Sequence, residues 1–198
     1  MYEKIEKYVK NTQGHYKLEV LDCFELKRDG EAKIFNPDNL TNRKLLWHGS
    51  RFSNFVGILS QGMRIAPPEA PKSGYNFGKG VYFADLVGKS TPYCRPELSN
   101  QIATFVLCEV ALGNSRQLLR PDYDADNLPN GFHSTHAIGR QRPKPSQTEY
   151  LGDVEMPLGQ VEDYPAGGMG ANEFVVYKTN QIQMKYLVRV KVSSSWGW

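Results

Sequence analysis

Glu173 opens an apolar run, Glu173-Phe174-Val175-Val176-Tyr177, in which a strand would put its carboxylate on the face shared by Val175 and Tyr177. A carboxylate aimed at a half-buried face needs a partner or a purpose, because burying an unpaired charge is costly. Two further residues with chemical reach sit in similar short segments: His48 after Leu45-Leu46-Trp47, and Tyr82 within Val81-Tyr82-Phe83-Ala84. Taken singly, His48 and Tyr82 read as ordinary strand residues, and Ser50, Ser90 and Arg64 as surface polar groups. The glycine runs do not make a dinucleotide fingerprint. Gly78 and Gly80 begin a G-x-G whose third glycine position is Phe83, and Gly167, Gly168 and Gly170 also precede a strand rather than a helix. That fingerprint needs a glycine turn opening on a helix N-terminus, where the pyrophosphate sits. Neither G-x-x-x-x-G-K-[ST] nor G-x-S-x-G occurs. His133 and His136 lie three apart in a loop without Cys or carboxylates at ligand spacing, so no metal is expected.

The elements that would position these residues are mainly strands. Residues 1–10 place Tyr2, Ile5 and Val9 at helical spacing, with a stop at Asn11-Thr12-Gln13-Gly14. Leu18–Leu26 and Leu45–His48 read as strands. Ser53 is placed to cap a helix carrying Phe55, Ile58 and Leu59, and Gly62 to end it. A loop rich in Pro and Gly spans Ala66–Gly80, ahead of a short strand at Val81–Ala84. Ala103–Leu112 is an almost unbroken apolar run, expected to be a strand buried on both faces. Residues 113–172 carry mostly loop signals. Two strands close the chain, Glu173–Tyr177 and Met184–Val192. The second is expected to place Met184, Tyr186, Val188, Val190 and Val192 on one face. Strands outnumber helices without alternating with long ones, which predicts an α+β fold with a mostly antiparallel sheet.

Composition narrows the setting. A chain of 198 residues fits one domain able to bury a core without metal or disulfide support. Its net charge of +3 comes from interspersed acids and bases, without a Lys/Arg block of the kind that marks a nucleic-acid face. Cys23, Cys94 and Cys108 are odd in number and widely spaced, which suits reduced thiols and a reducing compartment. No stretch approaches the ~18 apolar residues of a membrane helix, and the first residues do not open a signal peptide. An intracellular protein without membrane contact is expected.

Read in order, the short segments resemble the catalytic domain of poly(ADP-ribose) polymerases. They run from Leu45-Leu46-Trp47-His48-Gly49-Ser50-Arg51 and Gly57-Ile58-Leu59-Ser60-Gln61-Gly62 to Arg64-Ile65-Ala66-Pro67-Pro68-Glu69-Ala70-Pro71. Phe77-Gly78-Lys79-Gly80-Val81-Tyr82-Phe83-Ala84-Asp85, Lys89-Ser90 and Tyr93-Cys94 follow. Glu109-Val110-Ala111-Leu112-Gly113 and Asn172-Glu173-Phe174-Val175-Val176-Tyr177 complete the set. The resemblance covers about residues 6 to 193. It implies a split, mostly antiparallel sheet with short flanking helices. Residues 1–14 would be a helical remnant and linker from a regulatory domain otherwise absent, and residues 15–198 the transferase domain.

The resemblance also assigns chemistry. The substrate would be NAD⁺, no metal would be needed, and His48, Tyr82 and Glu173 would form the catalytic triad. Nicotinamide leaves NAD⁺ as a neutral molecule, so no general acid is required. The barrier is an oxocarbenium-like ribosyl cation, which a site must hold at both ends and stabilise between them. Gly49 would grip the carboxamide and Ser90 would add a hydroxyl, with Tyr82 and Tyr93 sandwiching the ring. His48 would bond the adenosine-side ribose, with Ser50 and Arg64 on the same half. Tyr75 and Lys89 complete the expected NAD⁺ contacts. Glu173 would bond the nicotinamide ribose and, in chain-extending members, orient the incoming hydroxyl. Ala171 stands where polymerizing relatives usually carry Tyr, and Asn76 where they often have Met. By resemblance, the partners are protein acceptors such as histones or the protein itself, together with nicotinamide-mimic inhibitors. DNA sensing would lie outside this chain, which is expected to be a nuclear monomer serving the DNA-damage response. The alternatives are a mono-ADP-ribosyltransferase or a non-catalytic NAD⁺- or ADP-ribose-binding module.

Overall fold

The apolar run at Ile102–Ala111 folds as the most deeply buried strand of the chain, with every residue from Ala103 onward shielded from solvent. This is seen in a computed structural model that describes residues 1–35, 40–66, 69 and 75–194. The helices are α1 (Tyr2–Thr12), α2 (Glu31–Ile34), α3 (Phe55–Gln61) and α4 (Val87–Cys94). The strands begin with β1 (Tyr16–Glu25), β2 (Arg43–Gly49), β3 (Val81–Phe83), β4 (Ile102–Ala111), β5 (Ser115–Leu118) and β6 (Ser134–Ala137). They continue with β7 (Gly139–Pro143), β8 (Glu149–Leu151), β9 (Val154–Met156), β10 (Val161–Asp163) and β11 (Met169–Ala171). β12 (Glu173–Val176) and β13 (Ile182–Ser194) end the fold.

A sheet ordered β1-β13-β4-β2-β9-β8 has β4 near its centre, and a second sheet runs β3-β12-β6-β5. The third, β10-β7-β11, is smaller. Pairing is mostly antiparallel; β2·β9, β5·β6 and β7·β11 are the parallel pairs. The α+β expectation therefore holds. The two larger sheets meet where Trp47 and Ala84 exchange both backbone hydrogen bonds, at 2.8 and 2.9 Å. Hydrophobic clusters lie on either side of β4. Trp47, Phe105 and Leu107 belong to one, and Leu46, Val106 and Phe174 to the other.

α1 buries Ile5, Tyr8 and Val9 in the first cluster. The Tyr8 hydroxyl donates to Leu45 O at 3.1 Å, and Thr12 Oγ1 accepts the Val87 amide at 3.2 Å. The helix is thereby tied to β2 and α4. Tyr2, expected on the packed face, is instead exposed, because Tyr8 takes the core position.

Three local expectations need correction. β13 does not keep one apolar face. A register shift between Met184 and Tyr186 inserts an extra residue, so Met184 joins one cluster while Val188, Val190 and Val192 join the other. Ser53 does not cap α3: it lies inside a 3-10 turn, Phe52–Asn54, and α3 starts at Phe55. Gly62 does end that helix, at φ 81°. Residues 113–172 hold seven strands rather than loop alone, each of three to five residues. Segments so short show no periodicity, and the turn residues between them dominate the pattern. Part of the Pro-rich stretch, residues 67, 68 and 70–74, lies outside the described residues.

The stability of this arrangement rests on the filled space around β4. Phe105 is fully buried and meets Trp47 edge-on at 5.8 Å. Phe105→Ala should lower unfolding free energy by about 3–5 kcal/mol, the usual cost of such a cavity. Urea unfolding of the variant checks this, and a loss below about 1 kcal/mol would show that β4 is not the centre of the core.

Candidate active site

The bridge between the sheets puts the end of β2 beside the middle of β3. His48 and Gly49 follow Trp47 directly, and Tyr82 lies two residues before Ala84. β12 pairs with β3, with Val175 opposite Tyr82, so Glu173 enters from the same neighbourhood. α4 packs on β2 and supplies Lys89, Ser90 and Tyr93. His48, Gly49, Tyr82, Lys89, Ser90, Tyr93 and Glu173, together with Tyr75, Asn76, Phe83 and Ala84, line a cavity of about 220 Å³.

The close approach of β2 and α4 depends on Gly49. A Cβ there would lie 2.3 Å from the Ser90 carbonyl oxygen and 2.9 Å from Cys94 Sγ. The absence of a side chain therefore serves helix packing, a role that adds to the ligand approach expected from sequence.

The two aromatic groups are held differently. The Tyr82 hydroxyl donates to Gly78 O at 2.7 Å and accepts the Phe77 amide at 2.9 Å. Burial raises its pKa further, so the ring is a neutral, fixed wall. Tyr75 lies 6.1 Å away, tilted by 43°. Tyr93 is more than half exposed and free to meet a ligand.

His48 is defined by one hydrogen bond. Its Nδ1 lies 2.8 Å from Tyr82 O, and a carbonyl only accepts, so Nδ1 carries the proton. Burial lowers its pKa against the opposing pull of that bond, which keeps the ring neutral and leaves a lone pair on Nε2.

Glu173 is 6% exposed and pairs with Lys89 Nζ at 3.0 Å. Burial lowers the lysine pKa, but the charge and hydrogen bond of Glu173 outweigh it, and the net shift is upward. Lys89 also sits 5.9 Å from the Tyr93 ring centre. Ser90 is buried, with only a long 3.5 Å contact from its hydroxyl to Trp47 O.

Ser50 and Arg64 do not line the cavity. Ser50 Oγ accepts from Asn54 Nδ2 at 3.0 Å, and Arg64 Nη1 donates to Gln61 Oε1 at 2.6 Å. Sequence reasoning missed Phe83 and Ala84 as lining residues, because strand alternation assigned them to structure alone. It also missed a buried polar pair behind the site: Asn172 Nδ2 donates to Asp85 Oδ2 at 2.7 Å. Burial pushes the Asp85 carboxyl up to about 6, against that hydrogen bond and the Lys44 charge. Both residues flank short apolar strands, but their pairing across the fold has no sequence signature. Among the described residues, no cluster of three or more His, Cys, Asp or Glu could hold a metal, and no helix is long and apolar enough to cross a membrane.

A split antiparallel sheet enclosing a cleft of this composition is the architecture of an ADP-ribosyltransferase catalytic domain. The family model described as the poly(ADP-ribose) polymerase catalytic domain matches residues 1–192, and the chain belongs to that family. It is 45% identical over 197 residues to poly [ADP-ribose] polymerase 2 of Zea mays, covering 96% of this chain and 30% of that protein. With poly [ADP-ribose] polymerase 1 of Xenopus laevis the identity is 46%, covering 96% of this chain and 20% of the relative. Poly [ADP-ribose] polymerase 2 of Arabidopsis thaliana gives 46%, with 96% and 31% coverage. The chain thus spans a third or less of the length of these relatives.

The His48 geometry has a direct readout. ¹⁵N NMR at pH 7 should show a protonated Nδ1 and a bare Nε2. The folded pKa lies below the ordinary value, so the associated stability is full above about 6.5 and is lost as pH falls through the folded pKa. An imidazolium at pH 7 would contradict the assigned tautomer.

Proposed function

We propose that this chain cleaves the nicotinamide–ribose bond of NAD⁺ and transfers ADP-ribose to protein side chains, extending the first unit into a polymer. The observation that carries this reading is the convergence of a buried carboxylate, a neutral histidine and two tyrosines on one cavity beside a glycine strand end. His48, Tyr82 and Glu173 act on the reaction, and Gly49, Ser90, Tyr93, Tyr75 and Lys89 hold the nicotinamide end.

The steps follow from the groups present. The fixed Tyr82 ring and the exposed Tyr93 ring stack on nicotinamide, each face contributing on the order of 1 kcal/mol beyond burial. Its carboxamide bonds the Gly49 backbone and the Ser90 hydroxyl, which has only a long contact to give up. The Nε2 lone pair of His48 accepts a hydroxyl of the adenosine-side ribose. Ser50 and Arg64, beside the cleft rather than in it, contact that half of the substrate. Glu173 bonds the nicotinamide ribose and faces the positive charge that develops as the C–N bond breaks. Nicotinamide departs neutral, taking the bonding electron pair, and the acceptor oxygen closes on the ribosyl carbon, a carboxylate directly and a hydroxyl with loss of its proton to solvent. In polymer growth Glu173 also aligns the incoming ADP-ribose hydroxyl.

The acceptors are histones or the protein itself, in a nuclear setting where DNA damage is sensed by segments outside this chain. Residues 1–14 are the end of a helical regulatory segment in this reading, and the transferase is a monomer that needs no metal. A mono-transferase is the second reading. Asn76, on the cavity wall, and Ala171, next to the Asn172–Glu173 pair, favour it, because both stand where polymerizing relatives carry larger side chains.

Benzamide, a primary amide on an aromatic ring, should compete with NAD⁺ for the leaving-group pocket. Titration against NAD⁺ turnover checks this; benzamide that neither inhibits nor displaces NAD⁺ removes the nicotinamide assignment. Glu173→Gln separates the two roles of the carboxylate. NAD⁺ hydrolysis should fall by about 10²–10³-fold, the scale of losing one transition-state stabiliser. Polymer formation should fall further, leaving short or single ADP-ribose products on a sizing gel, while benzamide binding is little changed. Equal losses in both activities would confine Glu173 to cleavage, and no loss in either would place the chemistry elsewhere.

A further inference from the structure

The strand that carries Glu173 changes sheets one residue earlier. Ala171 ends β11, which pairs with β7, and Glu173 begins β12, which pairs with β3 and β6. Asn172 is the junction, and its side chain reaches across it. Oδ1 accepts the Gly139 amide at the start of β7, at 2.8 Å. Nδ2 donates to Asp85, just beyond β3, at 2.7 Å. The amide cannot be turned around, because the Gly139 N–H can only donate and therefore claims the oxygen. The nitrogen must then meet an acceptor, and Asp85 supplies it. Both residues are buried.

The backbone here has little room to adjust. A Cβ on Gly139 would lie 2.1 Å from the Ala171 carbonyl carbon and 2.2 Å from the Asn172 nitrogen. Asn172 is joined directly to Glu173, so anchoring its side chain on both sides anchors the backbone from which the Glu173 side chain departs. We propose that Asp85 and Asn172 form a buried clamp that positions Glu173, holding its carboxylate at the depth and angle at which it meets the ribose. Asp85 touches no substrate in this arrangement; it is a positioning residue acting through the asparagine amide. Lys44, ion-paired with Glu155, lends its charge to keep Asp85 ionised.

The inference rests on the proposed role of Glu173, and the test separates the two. Asn172→Asp sets two carboxylates against each other while still accepting the Gly139 amide. Exchanging the pair, Asp85→Asn with Asn172→Asp, restores a donor facing an acceptor with no change in composition or net charge. Nicotinamide release should show kcat of Asn172→Asp reduced by about 10²-fold, the scale of a misplaced catalytic group, with KM for NAD⁺ held within about threefold. The exchanged pair should recover kcat to within about fivefold of the parent. Circular dichroism and benzamide affinity confirm that each variant is folded with its pocket intact. Should Asn172→Asp not fold, Asp85→Ala takes its place, with kcat expected to fall about tenfold at unchanged benzamide affinity. A folded exchanged pair no better than Asn172→Asp, or a folded Asp85→Ala with parental kcat, overturns the clamp. Failure of the underlying reading looks different: the parent chain releases no nicotinamide, or Glu173→Gln leaves its rate unchanged.

Discussion

The paired backbone hydrogen bonds between Trp47 and Ala84 carry the geometry of the cleft. They join β2 of one sheet to the residue just after β3 of the other, and residues next to that joint in each strand face the cavity. Close contact there excludes side chains on both sides. Gly49 leaves space for the Ser90 carbonyl, and a Cβ on Gly80 would lie 2.5 Å from Val175 Cγ1 and 2.8 Å from Val176 O. Trp47 itself is fully buried, with the Tyr8 ring of α1 tilted against it and Phe105 of β4 meeting it edge-on. The first helix and the central strand therefore brace the joint on which His48 and Tyr82 depend.

Much of this was legible in the residues. The unbroken apolar run marks β4, and the ordered short segments single out His48, Tyr82, Ser90, Tyr93 and Glu173; all five line one cavity. What was not legible has physical causes. The β13 bulge at Lys185 exchanges faces without altering the alternation of residue types. The strands between 115 and 171 owe their existence to partners rather than to their own pattern. Ser50 and Arg64 follow the motif in sequence, yet local hydrogen bonds to Asn54 and Gln61 hold them outside the cavity. The Asp85–Asn172 pair joins residues 87 positions apart, a separation at which sequence spacing says nothing.

Electrostatics explain why Lys89 belongs to the site rather than to the solvated surface. A carboxylate as buried as Glu173 would be costly without a partner, several kcal/mol for an uncompensated charge. Lys89 supplies that compensation. The pair is lopsided in exposure, the lysine side chain being 28% exposed against 8% for the glutamate. The lysine reaches toward water while the carboxylate stays buried, and the same ammonium lies 5.9 Å from the Tyr93 ring centre.

The remaining walls are uncharged. His48 is kept neutral by burial and Tyr82 by burial and its locked hydroxyl, while Tyr75, Asn76, Phe83, Ala84, Ser90 and Tyr93 add no formal charge. Lys89 and Glu173 give the cavity a balanced ion pair. Glu173 is the one negatively charged side chain among the described lining residues, in a setting of low polarity where its attraction for a cation is strongest. In the reaction proposed above, the positive charge passes from the pyridinium to the ribose carbon, toward Glu173, while the leaving group becomes neutral between the tyrosine rings. The interaction therefore grows along the reaction coordinate instead of being spent on ground-state binding, which is the condition for accelerating the chemical step.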